Sequence, residues 1–504
     1  MQPSVPTAAR LLDQATFGPT INDIYAVRTI GIDTWLKVQF ATAPTLLPML
    51  PSSLPKECPD DPTPCFESEF WEAALTAPDQ LRHRVAFTLG EIFVTSTQSV
   101  NAYVMVPYYN MLAADAFSNW RTIMEHVTRS PAMGMYLNML DSGRAATGQH
   151  ANENFAREML QLFSLGLYKL NSDGTQRLDV AGNTIPTFTE AQVQAFADAY
   201  TGWTYATAQG GAAHVFPNPV ANLYYPLAGV DAAHDTSQKA LLNGTVIPAG
   251  GSAAADLRAA LDNIFNDPSL PPFVCRGLIQ HLVASNPSKS YVGRVAAVFV
   301  NNGAGVRGDM KAVLSAILTD EEARAGDADP SHDGGHLREP MLYLASAMRS
   351  LGFSRTNTDS TNLWPYMSLS NETLPLGEQP MRSPSVFNFY AADYVLPGSG
   401  TPAPEFSLEN TATVALRMSL ADRLASGKLN GFAADFSKGS TLGQLAADPA
   451  GLTDVLGLLL MHSQMPTGMR QTIVSALTSV TSAEQRVRIA AYLILSSSDY
   501  KILH

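Results

Sequence analysis

Charged residues are scarce in this chain of 504 residues, and basic residues are scarcer than acidic ones. Lys and Arg number 32 against 45 Asp and Glu, which gives a net charge of −13 and a pI near 5.2. This balance disfavours proteins that bind nucleic acid or anionic membranes, because both partners require a basic surface. No apolar run reaches about 18 residues, so we expect no transmembrane helix. The start, Met1-Gln2-Pro3-Ser4, shows no leader pattern.

Cysteine is almost absent, with three residues in the whole chain. Cys58 and Cys65 flank a rigid, proline-rich loop, Pro59-Asp60-Asp61-Pro62-Thr63-Pro64. We favour a disulfide across this loop, which would indicate an oxidising compartment; two free thiols in a cytosolic loop are the alternative. A zinc site on these two cysteines lacks nearby ligands. Cys275 lies in an apolar stretch and is predicted to be a core thiol.

The short motifs of several common enzyme classes are also missing. The sequence contains no His-Glu-x-x-His, no Cys-x-x-Cys and no Gly-x-Ser-x-Gly. The glycine-rich stretch 303–309 lacks the Gly-Lys-Ser/Thr end of a phosphate-binding loop, and we interpret it as a turn between two helices. The sequence therefore gives no sign of a zincin, of a hydrolase with a serine elbow or of a P-loop nucleotidase.

Apolar residues at helical spacing, in contrast, run through most of the chain. Hydrophobic residues make up 46% of it, and 33 Pro and 35 Gly leave room for substantial loops. Because strand patterns are rare, we predict a mostly α fold, a large multi-helix globular unit with long loops. Turn signals at Asp173-Gly174 and Gly182-Asn183 allow one small β-hairpin that ends near Ile185. We expect a single continuous unit over 1–504, with sub-parts 1–205, 206–350 and 351–504.

The stretch 151–166 carries the densest polar chemistry of this sparsely charged chain. Asn152 is placed to cap a helix, and Glu153 then lies at the positive end of the helix dipole. One helix face is apolar, and a second face carries polar residues at i, i+3, i+4 and i+7: Asn154, Arg157, Glu158 and Gln161. Glu153 is spaced to pair with Arg157. A solvated helix face with an ordinary ion pair is the alternative to a functional site.

Short motifs follow one another along nearly the whole chain. They are Arg10-Leu11-Leu12-Asp13-Gln14-Ala15-Thr16-Phe17-Gly18, Asn152-Glu153-Asn154-Phe155-Ala156-Arg157-Glu158, Thr201-Gly202-Trp203-Thr204, His234-Asp235, Leu278-Ile279-Gln280, Ser285-Asn286-Pro287, Gly303-Ala304-Gly305-Val306-Arg307-Gly308-Asp309, Leu337-Arg338-Glu339-Pro340 and Ser385-Val386-Phe387-Asn388-Phe389. In this order they resemble the bacterial family filed as domain of unknown function 1800, and the resemblance implies one continuous unit.

This resemblance also implies a location. Members of the family are typically exported bacterial proteins, often encoded beside a second exported protein of unknown function. The resemblance therefore implies a periplasmic or secreted protein and supports the disulfide between Cys58 and Cys65. Many members have a His where this chain has Phe163, so no role of that His can be transferred to this chain.

Our leading functional hypothesis is a hydrolase of extracellular polymer or glycan material that uses carboxylate acid/base chemistry. Glu153 and Glu158 fall on different sides of their helix, so an acid/base pair needs a second carboxylate from elsewhere, either Asp235 or Glu91. We predict Glu158 and Asp235 as acid and base, with Glu153 as a further catalytic candidate.

Substrate-binding residues are predicted from the same neighbourhood. Asn154 and Arg157 would orient the substrate or bind anionic groups, and Trp203, Tyr205 and His234 would complete the binding surface. Aromatic rings suited to stacking on sugars are Trp203, Tyr205, Tyr224, Tyr225 and Trp364, with ordinary packing as the alternative for each.

Three other interpretations stay open. A metal site could use ligands of suitable chemistry, although no cofactor is predicted because dedicated spacing is absent; these ligands are His150, Glu153, His234 and Asp235. A Ser or Cys nucleophile lacks a supporting motif. The last interpretation is a non-catalytic helical module that binds a co-encoded exported protein or a polymer, with its polar stripe serving as a buried specificity network.

Overall fold

The structure, a computed structural model, describes residues 2–145, 151–327, 334–357, 359 and 362–503. It is mostly α-helical, as the hydrophobic periodicity predicts. In chain order the helices are α1 (Val5–Ala15), α2 (Ile21–Ile30), α3 (Ile32–Ala41), α4 (Thr63–Thr76), α5 (Gln80–Ile92), α6 (Ala102–Asp115), α7 (Trp120–Thr128), α8 (Pro131–Tyr136), α9 (Asn154–Leu160), α10 (Glu190–Ala199), α11 (Ala253–Phe265), α12 (Leu270–Leu282), α13 (Lys289–Val300), α14 (Met310–Thr319), α15 (Glu321–Ala325), α16 (Pro340–Ser350), α17 (Trp364–Thr373), α18 (Thr411–Ala425), α19 (Thr441–Leu445), α20 (Pro449–Met461), α21 (Thr467–Thr478), α22 (Ala483–Leu495) and α23 (Ser498–Lys501).

The strands are short, with two residues each. They are β1 (Trp203–Thr204), β2 (Ala228–Gly229), β3 (Lys239–Ala240), β4 (Val246–Ile247), β5 (His336–Leu337), β6 (Ser354–Arg355), β7 (Lys428–Leu429), β8 (Phe432–Ala433) and β9 (Ile502–Leu503). All pairings are antiparallel: β1 with β2, β3 with β4, β5 with β9, and a three-stranded sheet in the order β6-β8-β7.

Two compact units can be separated. Unit 1 comprises residues 1–85, 279–287 and 317–504, and unit 2 comprises residues 86–278 and 288–316. Unit 1 is assembled from segments that are distant in the sequence, whereas the two segments of unit 2 are separated by only nine residues.

Unit 1 is built around α16. Pro340 opens this helix at a position where a missing N–H costs nothing, and nearly every later residue of the helix is buried. Helices α4, α17 and α20 pack against it. Gly18, which follows α1, comes so close that a Cβ there would lie 2.4 Å from the Cα of Ser346, and its φ of +120° also requires glycine.

A group of buried charges joins α1 to α16 within unit 1. The carboxylate of Asp13 accepts hydrogen bonds from the guanidinium of Arg338, from Nε2 of His462 at 2.8 Å and from the hydroxyl of Ser346 at 3.0 Å. Burial opposes the negative charge of Asp13, but Arg338 and His462 outweigh it and hold the pKa of Asp13 well below its usual range. The guanidinium of Arg338 also lies 4.5 Å from the ring centroid of Tyr500, which makes it the central contact of the group.

Unit 2 has an aromatic core. The ring of Phe93 lies 5.3 Å from that of Trp120 and 5.5 Å from that of Phe163, and Trp120 also contacts Phe299. Phe163 is fully buried. Many members of the family that this chain resembles have His at this position, whereas here the side chain packs in the aromatic core. Around this core, α9 packs on α10, α10 on α11, and α7 on α6 and α11.

The predicted hairpin is present as a small antiparallel arm over residues 168–186, which we call the β-arm. The amide of Lys169 donates to the carbonyl of Ile185, and the amide of Arg177 donates to the carbonyl of Lys169. The arm turns at Gly174 and Gly182, both with positive φ, and is held by isolated bridges instead of a continuous ladder.

The predicted disulfide joins Cys58 to Cys65, and the third cysteine, Cys275, is a buried free thiol. Burial raises the pKa of the Cys275 thiol well above its usual range, which makes it an inert core residue. Among the residues that the structure describes, no helix combines the length and the apolar character needed to cross a membrane.

The buried charge group generates a first prediction. Replacing Asp13 by Asn leaves the Arg338 guanidinium buried without its counter-charge, so unit 1 should lose about 3–5 kcal/mol of stability, measured by urea denaturation at pH 7. Because the folded-state pKa of Asp13 is lowered, its contribution is present above the unfolded pKa of about 4 and is lost as the pH falls further. The difference in the free energy of unfolding between wild type and Asp13→Asn should therefore become smaller as the pH is lowered.

As a control, Asp454→Asn breaks an exposed pair with Arg470 and should leave the urea midpoint unchanged. A loss below about 1 kcal/mol for Asp13→Asn would contradict this view of the group.

The cysteine assignments generate a second prediction. Unreduced protein, unfolded in denaturant, should titrate one thiol per chain, because Cys275 alone is free. The same protein should titrate three thiols after reduction, since the chain has three cysteines. Three thiols without reduction would show that Cys58 and Cys65 are not bridged.

Candidate functional site

The stretch with the densest polar chemistry, in unit 2, forms α9 and a following π-helical turn, Gln161–Leu165. The side chain of Asn152 accepts a hydrogen bond from the amide of Asn154 at 3.0 Å, so it satisfies a helix-start amide as expected. Helix α9 begins at Asn154, one residue later than the Glu153 start that a cap at Asn152 predicts. Gly166 ends the turn with a φ of +76°, and a Cβ there would approach the ring of Phe273 to 3.1 Å.

Arg157 forms the ion pair that its spacing predicts. Its guanidinium lies 2.9 Å from the carboxylate of Glu153 and also bonds the carboxylate of Glu190 on α10. All three side chains are partly exposed, with about a third of Arg157 accessible. Pairs of this type tie two helices together at the surface and contribute modestly to stability.

Glu158 lies in a different environment from Glu153. It is buried, and its Oε2 atom has no hydrogen-bond partner among the described residues. Burial raises the pKa of Glu158, although the charge of Arg157 lowers it in part. Burial and, to a smaller extent, the Glu158 carboxylate raise the pKa of Tyr136. Asn154, one turn earlier, donates to the side chain of Asn138 at 3.3 Å. A carboxyl that binds a proton readily, beside amide groups, is suited to acid catalysis.

His234 and Asp235 belong to a separate buried network. His234 Nδ1 lies 3.0 Å from the carbonyl oxygen of Thr201, and its Nε2 lies 3.1 Å from the carboxylate of Asp256. The ammonium of Lys239, which is almost fully buried, bridges Asp256 at 3.0 Å and Asp235 at 3.3 Å. Both nitrogens of His234 are engaged, so this network orders the backbone around Gly202, which packs directly against His234.

The two predicted aromatic binding residues differ in exposure. Trp203 is 3% exposed in β1 and stacks with the guanidinium of Arg129, so its ring is not a surface for ligand stacking. Tyr205 is half-buried, and burial together with the charge of Asp141 raises its pKa.

Thus the structure does not bring all the predicted site residues together. Glu153 and Arg157 are in contact, whereas no described hydrogen bond or ion pair links Glu158 to Asp235 or Arg157 to His234. Asp235 is occupied by Lys239 and by the hydroxyl of Ser237, and both lower its pKa against the effect of burial. His150, a suggested metal ligand, lies outside the described residues.

Unit 1 contains a second group of polar and ionisable side chains, which we call the Glu339 cluster: Arg84, His281, Ser285, His336, Glu339, Tyr390 and Glu405. Glu339 is 1% exposed and lies at the N-cap of α16. Its carboxylate accepts a hydrogen bond from the hydroxyl of Tyr390 and lies 3.9 Å from Nδ1 of His281. The Tyr390 hydroxyl is 3.4 Å from the same Nδ1 atom. His281 and Tyr390 are half-buried, so solvent reaches the cluster through them.

His281 is held at the end of α12, where its backbone carbonyl accepts from the guanidinium of Arg84. A second carboxylate, Glu405, accepts hydrogen bonds from the hydroxyl of Ser285 and from the amide of Leu337 at 3.0 Å. Burial raises the pKa of Glu405, while Ser285 and the charge of His281 lower it in part. Glu339 thus lies beside His281, whereas Glu405 is held by Ser285 and the backbone of Leu337. Two carboxyl groups in different environments are how proteins separate acid from base.

His336 completes the cluster from β5. It is 1% exposed, and neither of its ring nitrogens has a hydrogen-bond partner among the described residues. Burial, reinforced by the positive charges of Arg84, His281 and Arg338, lowers the pKa of His336 to about 3, so the ring is neutral at pH 7. A buried imidazole without a partner is unusual and concentrates at functional sites.

Sequence reasoning missed the Glu339 cluster as a site, although part of its signal was visible. Leu337-Arg338-Glu339-Pro340 and the stretch that ends at Phe389 were noted only as family motifs, and His281 follows a third motif directly. Tyr390 lies 51 residues from Glu339 and 109 residues from His281 in the sequence, so periodicity could not bring these three side chains together. Imidazole and carboxylate are also metal-binding groups, and within unit 1 His281 and Glu339 could fill two positions around one ion.

Comparison with known proteins gives one match. The model of a family described as "Protein of unknown function (DUF1800)" matches residues 10–502. No curated protein and no solved structure matches the chain.

The environment of Glu158 generates a third prediction. Because its folded-state pKa is raised, the ionised carboxylate is penalised, and the native state loses stability as the pH rises through that pKa. Glu158→Gln should therefore be more stable than wild type at pH 8, by about 1 kcal/mol, with the difference vanishing near pH 4. Thermal unfolding at both pH values measures this. The matched change on the same helix, Glu153→Gln, breaks a partly exposed pair and should cause a small loss at pH 8. A large loss for Glu158→Gln would identify Glu158 as a paired structural residue.

Proposed function

This chain belongs to the DUF1800 family of proteins of unknown function, and we propose that it is a hydrolase of extracellular polymer or glycan material whose acid/base centre is the Glu339 cluster. The observation that carries the proposal is the buried Glu339 carboxylate that faces both His281 and Tyr390, the two members of the cluster that are partly accessible to solvent. Glu158 and Asp235 support such chemistry less well, because no described contact joins them and Asp235 is neutralised by Lys239.

The proton path follows from the distances. With the His281 ring in its Nε2–H tautomer, Nδ1 accepts a proton from the attacking water, and Glu339, 3.9 Å from Nδ1, stabilises the imidazolium that forms. Tyr390 donates its proton to the oxygen of the leaving group and recovers one from Nδ1 of His281, 3.4 Å away. One water is consumed, one bond of the polymer is broken, and the enzyme returns to its starting state. The raised pKa of Glu405 favours its neutral, protonated form, so Glu405 adds less negative charge near His281 than an ordinary glutamate would.

We propose further that the protein works in the periplasm or outside the cell. The disulfide between Cys58 and Cys65 supports this, because such bonds persist in oxidising compartments.

A non-catalytic function is the second candidate, and one observation favours it. The β-arm carries apolar side chains that are unusually exposed, with Leu178 at 57% and Val180 fully accessible. Exposed apolar patches are typical of protein contact surfaces. In this function the chain would bind the exported protein encoded beside it.

The hydrolase proposal generates a fourth prediction. In a hydrolysis screen on extracellular polymers, Tyr390→Phe, His281→Asn and Glu339→Gln should each lower kcat about 10²–10⁴-fold. Tyr390→Phe is the sharpest variant, since it removes one hydroxyl and keeps the ring. Glu484→Gln, which breaks an exposed pair with Arg488 in unit 1, should keep wild-type turnover. Thermal unfolding of each variant separates lost chemistry from lost folding.

Three outcomes would contradict this assignment. Loss of turnover in Glu158→Gln, with Glu339→Gln unaffected, would place the centre in unit 2. Full activity in Tyr390→Phe would remove the proposed proton path. A wild-type protein without turnover that forms a stable stoichiometric complex with the co-encoded exported protein would establish the non-catalytic function.

A further inference from the structure

An open cavity of about 500 Å³ lies in unit 1, outside the Glu339 cluster. Its lining consists of Pro55, Lys56, Glu57, Asp359, Asn362 and Trp364. Its volume falls in the range of small-molecule sites, about 300–1,000 Å³. None of these residues takes part in the proton path proposed above, so the cavity requires its own explanation.

Trp364 forms one wall, and its ring is 51% exposed. It opens α17, where its amide donates to the side chain of Asn362 at 3.1 Å. The ring is supported by the turn between β7 and β8, because a Cβ at Gly431 would lie 3.3 Å from the indole. An indole that is packed at one edge and open to a cavity presents a rigid, flat apolar surface.

A constrained loop forms another part of the lining. Lys56 and Glu57 precede Cys58, which is bonded to Cys65, and the amide of Cys58 donates to the carbonyl of Pro55 at 3.1 Å. A covalent link of this kind reduces the freedom that the loop would lose on binding a ligand. This part of the lining is therefore largely organised in advance.

Arg355 fixes the remaining side of the cavity. Its guanidinium donates to the carbonyl of Asp359 at 2.6 Å and to that of Asn362 at 2.8 Å, and it stacks on the ring of Tyr366. A single buttressed side chain thus holds the two polar lining residues next to Trp364. Backbone anchoring of this kind belongs to built sites more than to incidental surface hollows.

The chemistry of the lining selects a ligand class. Two carboxylates, an amide and an ammonium group offer donors and acceptors for several hydroxyl groups, while the indole offers a face for C–H surfaces. Acidic groups outnumber basic ones in the cavity, and the chain carries a net charge of −13, which disfavours polyanions. A lipid would need an apolar lining in place of this polar one.

We propose that this cavity is a binding subsite for a neutral glycan, with Trp364 as the stacking platform. The subsite narrows the polymer of the proposed function to a neutral carbohydrate, and it rests on that function for the substrate class alone. Binding at Trp364 requires no turnover, so the two proposals can fail separately.

Affinity electrophoresis of the full chain tests the proposal directly. The gels contain one neutral polysaccharide each (laminarin, hydroxyethyl cellulose, xylan or glucomannan), with alginate as the anionic comparison. Wild type should be retarded by at least one neutral polysaccharide, and Trp364→Ala should weaken that retardation about tenfold. Tyr25→Ala, which removes a ring of 52% exposure from α2 in the same unit, is the matched control and should behave as wild type. Asn362→Ala should weaken binding without removing the ring.

The outcomes are decisive in both directions. Tyr390→Phe should bind as wild type, so retained retardation with lost turnover would separate the subsite from the acid/base centre. Reduction of the disulfide should weaken retardation in wild type, because the loop with Glu57 is then released. The proposal is overturned if no neutral polysaccharide retards wild type, if alginate is the preferred polymer, or if Trp364→Ala binds as well as wild type.

Discussion

The ion pair between Asp13 and Arg338, with His462 as a third member, is the interaction on which unit 1 depends. It joins α1 to the start of α16 and the end of α20, and Asp13 lies 325 residues from Arg338 and 449 residues from His462 in the sequence. Removing two ions from water costs several kcal/mol for each, and only mutual contact with further hydrogen bonds repays it. Any packing of unit 1 that separates these three elements would leave a charge alone in an apolar interior. The group therefore determines which packing of unit 1 is possible, and does not merely add stability to a packing that other contacts have determined.

The same condition explains how the Glu339 cluster is held. Arg338 and Glu339 are neighbours in the sequence, and the first is fixed by Asp13, by the ring of Tyr500 and by the carbonyl of Leu460. The next residue then starts α16 in one orientation, which sets Glu339 against His281 and Tyr390. Catalytic side chains must be held within a fraction of an ångström, and buried second contacts supply that restraint. A structural ion pair and a proposed reactive carboxylate thus share one turn of backbone.

Polar motifs in this chain serve two different purposes that look alike in the sequence. His234-Asp235 has the composition of a site, yet Asp256 and Lys239 occupy its polar atoms, and the motif orders a loop beside Gly202. Arg157 ties α9 to α10 through Glu153 and Glu190 at a partly exposed surface. His336, in contrast, keeps two buried ring nitrogens that have no hydrogen-bond partner among the described residues, and such atoms are suited to bind a ligand or a proton.

Local properties of this protein could be predicted from the sequence because they depend on residues close along the chain. The mostly α fold, the capping role of Asn152, the pair of Glu153 with Arg157, the β-arm and the disulfide between Cys58 and Cys65 all follow from spacing within a few residues. The Glu339 cluster and the cavity at Trp364 do not follow from local spacing. Tyr390 lies 51 residues from Glu339 in the sequence, and the cavity joins Pro55, Lys56 and Glu57 to Asp359, Asn362 and Trp364. Only the packing of unit 1 decides which polar side chains meet, which are buried and which pKa values shift, because desolvation and long-range contact exist only in the folded chain.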